Sequence, residues 1–463
     1  MAQFFFFNEQ SRWLITLEKR MRKIKNEVSN LEMNGVEVYL VGGAVRDAYL
    51  GLKPKDLDWV VVGASHDMMV DAGFTLVPAA VFPVYLCSEG EEYALARTEV
   101  KTGQGDKGFE INAEGVTLIE DLGRREAPMC AMAQKSDGTI IDVYGGREDL
   151  DNKVYRIIDR NAFKEDAVRI TRAARFAAKY GLTLDPEAVE VMREMVEDGL
   201  LTMENLSSRV ALSLRDRFFR EMCKAFKTDK PSRFFEVLSE IGALEVLLPQ
   251  VHAFHGQTQP EKWHPEGDVF EHVMQCLDVG ASLGCSEKEM FAILCHDLGK
   301  GLTPKEELPK HIGHEKSGVP VTEEVCNLLN VPKDFKKLAL IVTEYHLKVY
   351  TVKKPGKIHD LVAICSSDLE DMEIHDVVAK CSHSFKDVEF LRSVMSCSMA
   401  DQMGRRKDRA GPFPTKAVDL DFYEEVFHVC KAVKFDPKKW PDKKGPAIAD
   451  WVRQLRIQAM GAL

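Results

Sequence analysis

Apolar positions change their period twice along this chain. Over residues 1–35, Trp13, Leu14, Leu17, Met21, Ile24, Val28 and Leu31 recur at helical spacing among basic residues, which predicts an amphipathic helix packed on the domain that follows. Short β-rich runs then take over. Residues 36–41 and 58–62 read as strands, 92–98 and 138–144 as further ones, and 44–50 as a short helix after the Gly42-Gly43 turn. Strands interleaved with helices predict an α+β domain over residues 36–160. Beyond Glu165 the period is helical and stays so. Residues 166–179 form an amphipathic pattern that Gly181 is placed to terminate. Two prolines interrupt the helical pattern within residues 257–265, which divides the remainder into 161–258 and 259–463.

Length and composition narrow the class. At roughly 150 residues per domain, 463 residues allow about three domains. With 45% hydrophobic and 29% charged residues, the chain is an ordinary globular protein. A net charge of −11 excludes a surface coated in basic charge for non-specific nucleic-acid binding. The local basic strips Arg405-Arg406-Lys407, Lys438-Lys439-Trp440 and Lys443-Lys444 read as solvated surface, with contact to an RNA backbone as the alternative. Eleven cysteines without a Cys-x-x-Cys pair predict reduced thiols used as core filler in a cytoplasmic protein. No apolar run approaches the roughly 20 residues of a membrane span, and the Phe4–Phe7 run is too short for a signal-peptide core. No membrane partner is expected, and the sequence leaves the oligomeric state open.

The first chemical constellation is Gly42-Gly43-Ala44-Val45-Arg46-Asp47, between a strand and a helix. Glycines let backbone approach a phosphate, and a helix start offers N–H donors. Arg46 adds a planar cationic fork. A Gly-Gly turn by itself is most often only a turn. Asp56-Leu57-Asp58 follows at the mouth of the second strand, where alternate residues share a face, so both carboxylates point into one space. Carboxylate oxygens suit Mg²⁺, and a pair of ions held there clamps both the attacking and the leaving oxygen of an in-line displacement. Glu92 is a third candidate carboxylate or a solvated glutamate. Arg124-Arg125 reads as a triphosphate contact or as surface charge.

Asp166, Arg169 and Arg172 recur every three residues along one side of the predicted helix. The plain reading is a salt-bridged surface. The functional reading is a protein template for a base: cytosine and adenine both present an amino donor beside a ring-nitrogen acceptor, which an Asp–Arg pair complements. Guanine and uracil present the reverse order and would leave buried polar atoms unpaired.

Taken together, Gly-Gly-Ala-Val-Arg-Asp, Asp-Leu-Asp-Trp-Val-Val-Val-Gly, Glu-Tyr-Ala-Leu-Ala-Arg-Thr-Glu and Glu-Asp-Ala-Val-Arg-Ile-Thr-Arg-Ala-Ala-Arg-Phe-Ala-Ala resemble the class II CCA-adding tRNA nucleotidyltransferases, in their bacterial multifunctional form with an HD domain. The resemblance implies a DNA polymerase β-type nucleotidyltransferase head, an all-helical neck and body, and a helical HD-type tail. It implies CTP, ATP and tRNA as partners, Mg²⁺ on Asp56 and Asp58 as the catalytic pair, and nucleotide binding by Gly43, Arg46 and Arg125. It also implies base reading by Asp166 and Arg169, with Arg172 beside them. One segment departs from the family. The usual Arg-Arg-Asp, three residues, Asn-Ala is here Arg124-Arg125-Glu126-Ala127-Pro128-Met129-Cys130-Ala131. In the family this segment handles the ribose, and a cysteine lacks the paired donor and acceptor of an amide.

The second constellation is His272, His296-Asp297 and Asp401, with His311, His314 and His346 between them. A lone histidine in a helical domain is usually a packing residue. The series resembles the H…HD…D ligand set of the HD phosphohydrolase superfamily, and Trp263-His264-Pro265-Glu266 also matches the bacterial CCA proteins. Nitrogen and carboxylate ligands without thiolate suit Mg²⁺, Mn²⁺, Ni²⁺ or iron over structural zinc. The resemblance implies 2′,3′-cyclic phosphodiesterase, 2′-nucleotidase and phosphatase activities. Three rival readings stand beside this one: a poly(A) polymerase of the same fold, a protein whose main activity is the HD phosphohydrolase, and a tRNA-binding protein with an impaired transferase site.

Overall fold

The computed structural model describes residues 25–32, 35–78, 83–101, 109–201, 209–367, 385–407, 409, 418–434, 436, 438, 440, 446–461 and 463. The chain separates into two compact units, residues 1–214 and 215–463. Trp13 to Ile24 of the predicted N-terminal helix, and the basic residues Lys439, Lys443 and Lys444, lie outside the described residues.

Among the described residues the first unit carries β1 (Glu37–Val41), β2 (Asp58–Val62), β3 (Thr75–Leu76), β4 (Val84–Leu86), β5 (Glu92–Leu95), β6 (Thr98–Lys101), β7 (Phe109–Asn112), β8 (Ala133–Gln134) and β9 (Ile140–Ile141), with a further parallel pair between Val154–Tyr155 and Thr183–Leu184. Seven form a mixed sheet in the order β3-β4-β5-β2-β1-β8-β9, and β6 pairs with β7. β1 and β2 are its central strands. Buried strands of this kind read as near-continuous apolar runs, as Trp-Val-Val-Val does here. On one face, Tyr39, Val41, Val60, Ala131 and Ala133 pack with Leu118 and Leu122 of the helix Leu118–Gly123 into a shared core. On the other, Trp59 and Tyr93 are register partners and stack with ring centroids 5.6 Å apart, a cross-strand aromatic pair of the kind that fixes register.

Helix α1 (Lys25–Glu32) buries Val28 and Leu31, and Glu27 accepts hydrogen bonds from the Ser88 backbone and hydroxyl. Helix α2 (Gly43–Tyr49) follows β1 directly, and α3 (Leu118–Gly123) carries a Thr117–Glu120 capping box. The strand expected over 92–98 stops at Leu95. Arg97 donates its backbone N–H to the Asp121 carboxylate instead of to a ladder partner, and the chain re-enters a different sheet as β6. The strand expected over 138–144 shortens to β9. The helix expected from residue 166 begins at Val168 as α4 (Val168–Tyr180), because the Asp166 side chain accepts the Val168 backbone N–H and acts as a cap outside the helix.

The second unit is helical. Its centre is α6 (Glu287–Cys295), flanked by α5 (Val269–Ser282), α7 (His314–Leu329), α8 (Lys333–Tyr345) and α9 (Val388–Gly404). Residues 290–295 of α6 are all buried, as befits a helix apolar all round. The proline-containing segment 257–265 lies inside this unit as a hydrogen-bonded loop, paired back through Gln259 to Gly267 and Val269 to Gln257. No helix of the described residues is long and apolar enough to cross a membrane.

Candidate functional site

In the first unit, Asp58 opens β2 with Val41 opposite it on one side and Glu92 on the other. Register partners in a ladder share a face, so Glu92 stands on the same side as Asp58, with Asp56 two residues upstream. Asp56, Asp58 and Glu92 are all exposed. Protein packed around Asp58 raises its carboxyl above the usual range; Arg125 pulls against this, and the charge on Asp56 adds to it. These groups thus act on one another, and carboxylates at an open sheet edge beside an arginine form an acceptable cradle for a hard cation.

The turn beside them is set by sterics. Gly42 has φ +66°, and a Cβ on it would stand 2.7 Å from Nη1 of Arg125, so no other residue fits without displacing that guanidinium. Arg125 donates to the Cys130 carbonyl at 3.2 Å and to the Asp121 carboxylate at 3.2 Å. Arg124 donates to Asp121 and Glu99. Burial alone would raise the fully buried Asp121, but Arg124 and Arg125 hold its carboxyl below the usual range. Asp121 therefore anchors both arginines, a role its spacing of three and four residues from them made legible.

Arg46 sits differently from an open phosphate fork. It is only 6% exposed, pairs with Asp47 at 2.9 Å, and lies against the rings of Phe176 and Tyr180. Asp47 is held in turn by the Tyr180 hydroxyl at 2.7 Å and by Lys179 at 3.2 Å. The Arg46 guanidinium binds α2 to the far end of α4 and carries the preceding turn with it. Gly43, the first residue of α2, lies beside it.

The first turns of α4 are tied to the departing segment. Arg169 donates to the Ala162 carbonyl at 2.7 Å and to the Arg124 carbonyl at 3.0 Å. Arg172 donates through Nε to Glu126 at 3.0 Å. Burial opposes the Glu126 charge, but Arg172 and then Arg169 outweigh it and hold the carboxyl down to about 2. The longer glutamate thus still meets its arginine. Cys130 is buried, accepts from Arg46 at 3.6 Å, and burial pushes its thiol up to about 11, so it remains a neutral filler.

In the second unit, His272, His296, Asp297 and Asp401 come together from α5, the end of α6 and α9. His272 Nε2 lies 3.2 Å from Asp401 and 3.5 Å from Asp297; His296 Nε2 lies 3.1 Å from Asp297. Gly299 allows the turn after Asp297 to lie on α7: a Cβ there would meet the His314 carbonyl oxygen at 2.1 Å. Several residues join that the motif did not name. His314 and His346 approach Asp297 at 3.3 and 3.6 Å. Glu266 accepts from Nδ1 of both His264 and His272, at 2.8 and 2.7 Å, the carboxylate–histidine support that orients a metal ligand. Lys300 donates to Asp297 at 2.6 Å. A thiol that the motif did not name also lies against the cluster: Cys276 Sγ is 3.5 Å from His272 Nε2, one helical turn along α5. Burial raises that thiol, and the His272 imidazole pulls against the rise. Arg405, read as part of a solvated strip, is instead bound to Asp401 at 2.8 Å and to the Tyr350 hydroxyl.

This cluster fits a divalent cation. Three carboxylates (Glu266, Asp297, Asp401) face two fixed cations (Lys300, Arg405), and burying an unmatched charge costs several kcal/mol. Burial lowers His346 to about 3, so its imidazole is neutral and able to ligate. Burial opposes a charge on His272, yet Cys276, Asp401 and Glu266 draw its proton affinity well above the usual range. A cation would replace that proton.

Comparison with known proteins matches three parts of the chain. Residues 38–156 match the family model described as "Poly A polymerase head domain", 181–254 "Probable RNA and SrmB- binding site of polymerase A", and 269–379 "HD domain". The Multifunctional CCA protein of Chromobacterium violaceum is 45% identical over 336 residues, spanning 72% of this chain and 80% of the relative. Among solved structures, a CCA-adding enzyme in its apo form II aligns with TM-score 0.61 at 16% identity, covering 97% of this chain and 94% of that one. The Bacillus stearothermophilus CCA-adding enzyme in complex with CTP aligns with TM-score 0.59 at 18% identity, covering 96% and 93%. At these identities the structures establish the shared fold, whereas the 45% relative establishes kinship. A mixed-sheet head, a helical body and a histidine-lined HD centre in that order make this chain a member of the multifunctional CCA protein family.

Proposed function

We propose that this chain builds the C-C-A terminus of tRNA from CTP and ATP at the Asp56–Asp58 edge of the head, and hydrolyses phosphate esters at the HD centre. The observation that carries the first part is the register of Asp58 between Val41 and Glu92, which sets the carboxylates beside the Gly42 turn and Arg125. Mg²⁺ held by Asp56 and Asp58 would neutralise phosphate charge and favour attack of the tRNA 3′-hydroxyl on the α-phosphate with loss of pyrophosphate. Arg125 and the Gly43 N–H, at the start of α2, bind the triphosphate. Arg46 contributes by fixing that turn through Asp47 and α4. Asp166 and Arg169 offer acceptor and donor to the pairing edge of C or A. Arg172, held on Glu126, fixes α4 against the segment that meets the sugar. CTP and ATP complexes of structurally similar CCA-adding enzymes support this choice of nucleotides.

At the HD centre, Mn²⁺ or Ni²⁺ held by His272, His296, Asp297 and Asp401 would polarise a phosphate and lower the pKa of a bound water. The proposed substrates are 2′,3′-cyclic phosphates, 2′-nucleotides and simple phosphomonoesters. We assign residues 1–35, 36–160, 161–258 and 259–463 as extension, head, neck and body, and tail, acting in the cytoplasm. The test is incubation of tRNA lacking its 3′ end with each labelled nucleoside triphosphate and Mg²⁺. C and A are incorporated and G and U are not; equal use of all four would refute the protein template, and a long A tract would make the chain a poly(A) polymerase.

A further inference from the structure

We infer that α4 is a strut that makes the grip on the triphosphate depend on the fit of the base, with Tyr180 and Asp47 as its positioning residues. The inference rests on the proposed base reading by Asp166 and Arg169 and on the proposed triphosphate contact at Gly43, and it adds the link between them. Arg169 stands in the first turn of α4, and Tyr180 is its last residue. At roughly 1.5 Å per residue the two lie about 16 Å apart along the axis. No single side chain spans that distance, so base and triphosphate can act on one another only through what joins the two ends.

A row of stacked side chains joins them. Arg172, Phe176 and Tyr180 recur every four residues and so share one side of α4. The Arg172 guanidinium, held on Glu126, lies 5.5 Å from the centre of the Phe176 ring. Phe176 stacks on Tyr180 with centroids 6.1 Å apart. The Arg46 guanidinium then lies over both rings, at 5.1 and 4.9 Å. Phe176, Arg46 and Asp47 are all buried, and a cation on an aromatic face is worth most where water is excluded.

Asp47 closes the row. Its carboxylate accepts from Arg46 Nε at 3.0 Å, from the Tyr180 hydroxyl at 2.7 Å and from Lys179 at 3.2 Å. Tyr180 and Lys179 both belong to α4, so the end of that helix sets where the carboxylate stands, and with it the guanidinium. The guanidinium in turn lies against the turn: a Cβ on Gly43 would stand 3.4 Å from Arg46 Nη2. At the other end, Arg169 is tied to the Ala162 and Arg124 carbonyls. A base that seats against Asp166 and Arg169 therefore favours the position of α4 in which the Gly43 N–H is aligned for the triphosphate, and the triphosphate favours the same position in return. A base that does not seat gains no such help.

The test is a double-mutant cycle on CTP binding, read by equilibrium dialysis of the full chain with Mg²⁺ and without tRNA. Tyr180→Phe keeps the ring and removes only the hydroxyl; Arg169→Gln removes the cation at the base. Each alone should weaken CTP about tenfold, and the two together far less than the hundredfold or so of independent effects, because either one breaks the strut. Asp47→Asn, which keeps the side-chain shape, should couple to Arg169→Gln in the same way. Inorganic triphosphate, which has no base, should bind more weakly to Tyr180→Phe and equally well to Arg169→Gln. A residue that only holds the fold together would multiply its effect with that of Arg169, so a full product overturns the strut and leaves the base reading intact. Unchanged CTP binding in Tyr180→Phe overturns the strut as well. Unchanged CTP binding in Arg169→Gln overturns the base reading on which it rests.

Discussion

The head and the HD centre each gather carboxylates in one place, and they are constructed in opposite ways. In the head, Asp56, Asp58 and Glu92 stand exposed at a sheet edge, and the nearby arginines are held by other residues: Arg124 and Arg125 by Asp121, Arg172 by Glu126, Arg46 by Asp47. In the HD centre the ligand atoms are buried and supported from behind, by Glu266 and by helix-end carbonyls. An open carboxylate edge leaves most of an ion's coordination to water and to the incoming triphosphate, whereas a buried imidazole and carboxylate cage supplies it from the chain. On the proposed function, the contrast teaches that the open edge would take its metal together with substrate, whereas the buried cage would keep its own between turnovers.

That contrast can be broken at three levels. The largest effect belongs to Asp297, which lies within 3.6 Å of His272, His296, His314 and His346. Asp297→Asn should lower phosphohydrolysis by about 10³-fold or more while leaving CTP incorporation within twofold. A matching loss of incorporation would mean that the two centres are one functional unit. Next is Glu266→Gln, which removes the charge behind His272 without touching the ion. Metal affinity measured by titration calorimetry should fall by about 10–100-fold, and an unchanged affinity would remove Glu266 from the site.

The smallest effect concerns Glu126 in the head. Glu126→Gln breaks its pair with Arg172, and because about a third of the Arg172 side chain is exposed (34%), the loss is discounted to about 1–3 kcal/mol of head stability in urea unfolding. The pH dependence has a definite sign. The folded-state carboxyl is held near 2 against an ordinary 4.5, so the pair's contribution is complete above about 4.5 and is lost as pH falls towards 2. The gap between parent and variant should therefore close in acid. A gap that persists at pH 2 would point to packing instead.

Much of the head was legible because its signals are local. The contiguous Val60, Val61 and Val62 announce a central strand, and Gly42 announces a turn that only glycine fits. Asp166 was placed inside a helix that begins two residues later, at Val168, because its side chain competes for the backbone, an effect that apolar periodicity does not record. Arg46 and Arg405 read as open charge, since their partners Phe176, Tyr180 and Tyr350 lie far away in sequence. The HD cage was legible only in part for the same reason. His272, the His296-Asp297 pair and Asp401 form a recognisable series, whereas Cys276, His314, His346 and Glu266 become neighbours only when five helices converge. The proline-bearing loop that carries Glu266 looked like an interruption and is a wall of the site.

The central claim is that the carboxylates of Asp56 and Asp58 carry nucleotidyl transfer, and it is tested most directly by incorporation of labelled CTP into tRNA lacking its 3′ end, in the Asp56→Asn, Asp58→Asn chain with Mg²⁺. The account predicts a loss of about 10³-fold or more with HD phosphohydrolysis retained. Incorporation at the parent rate would contradict it.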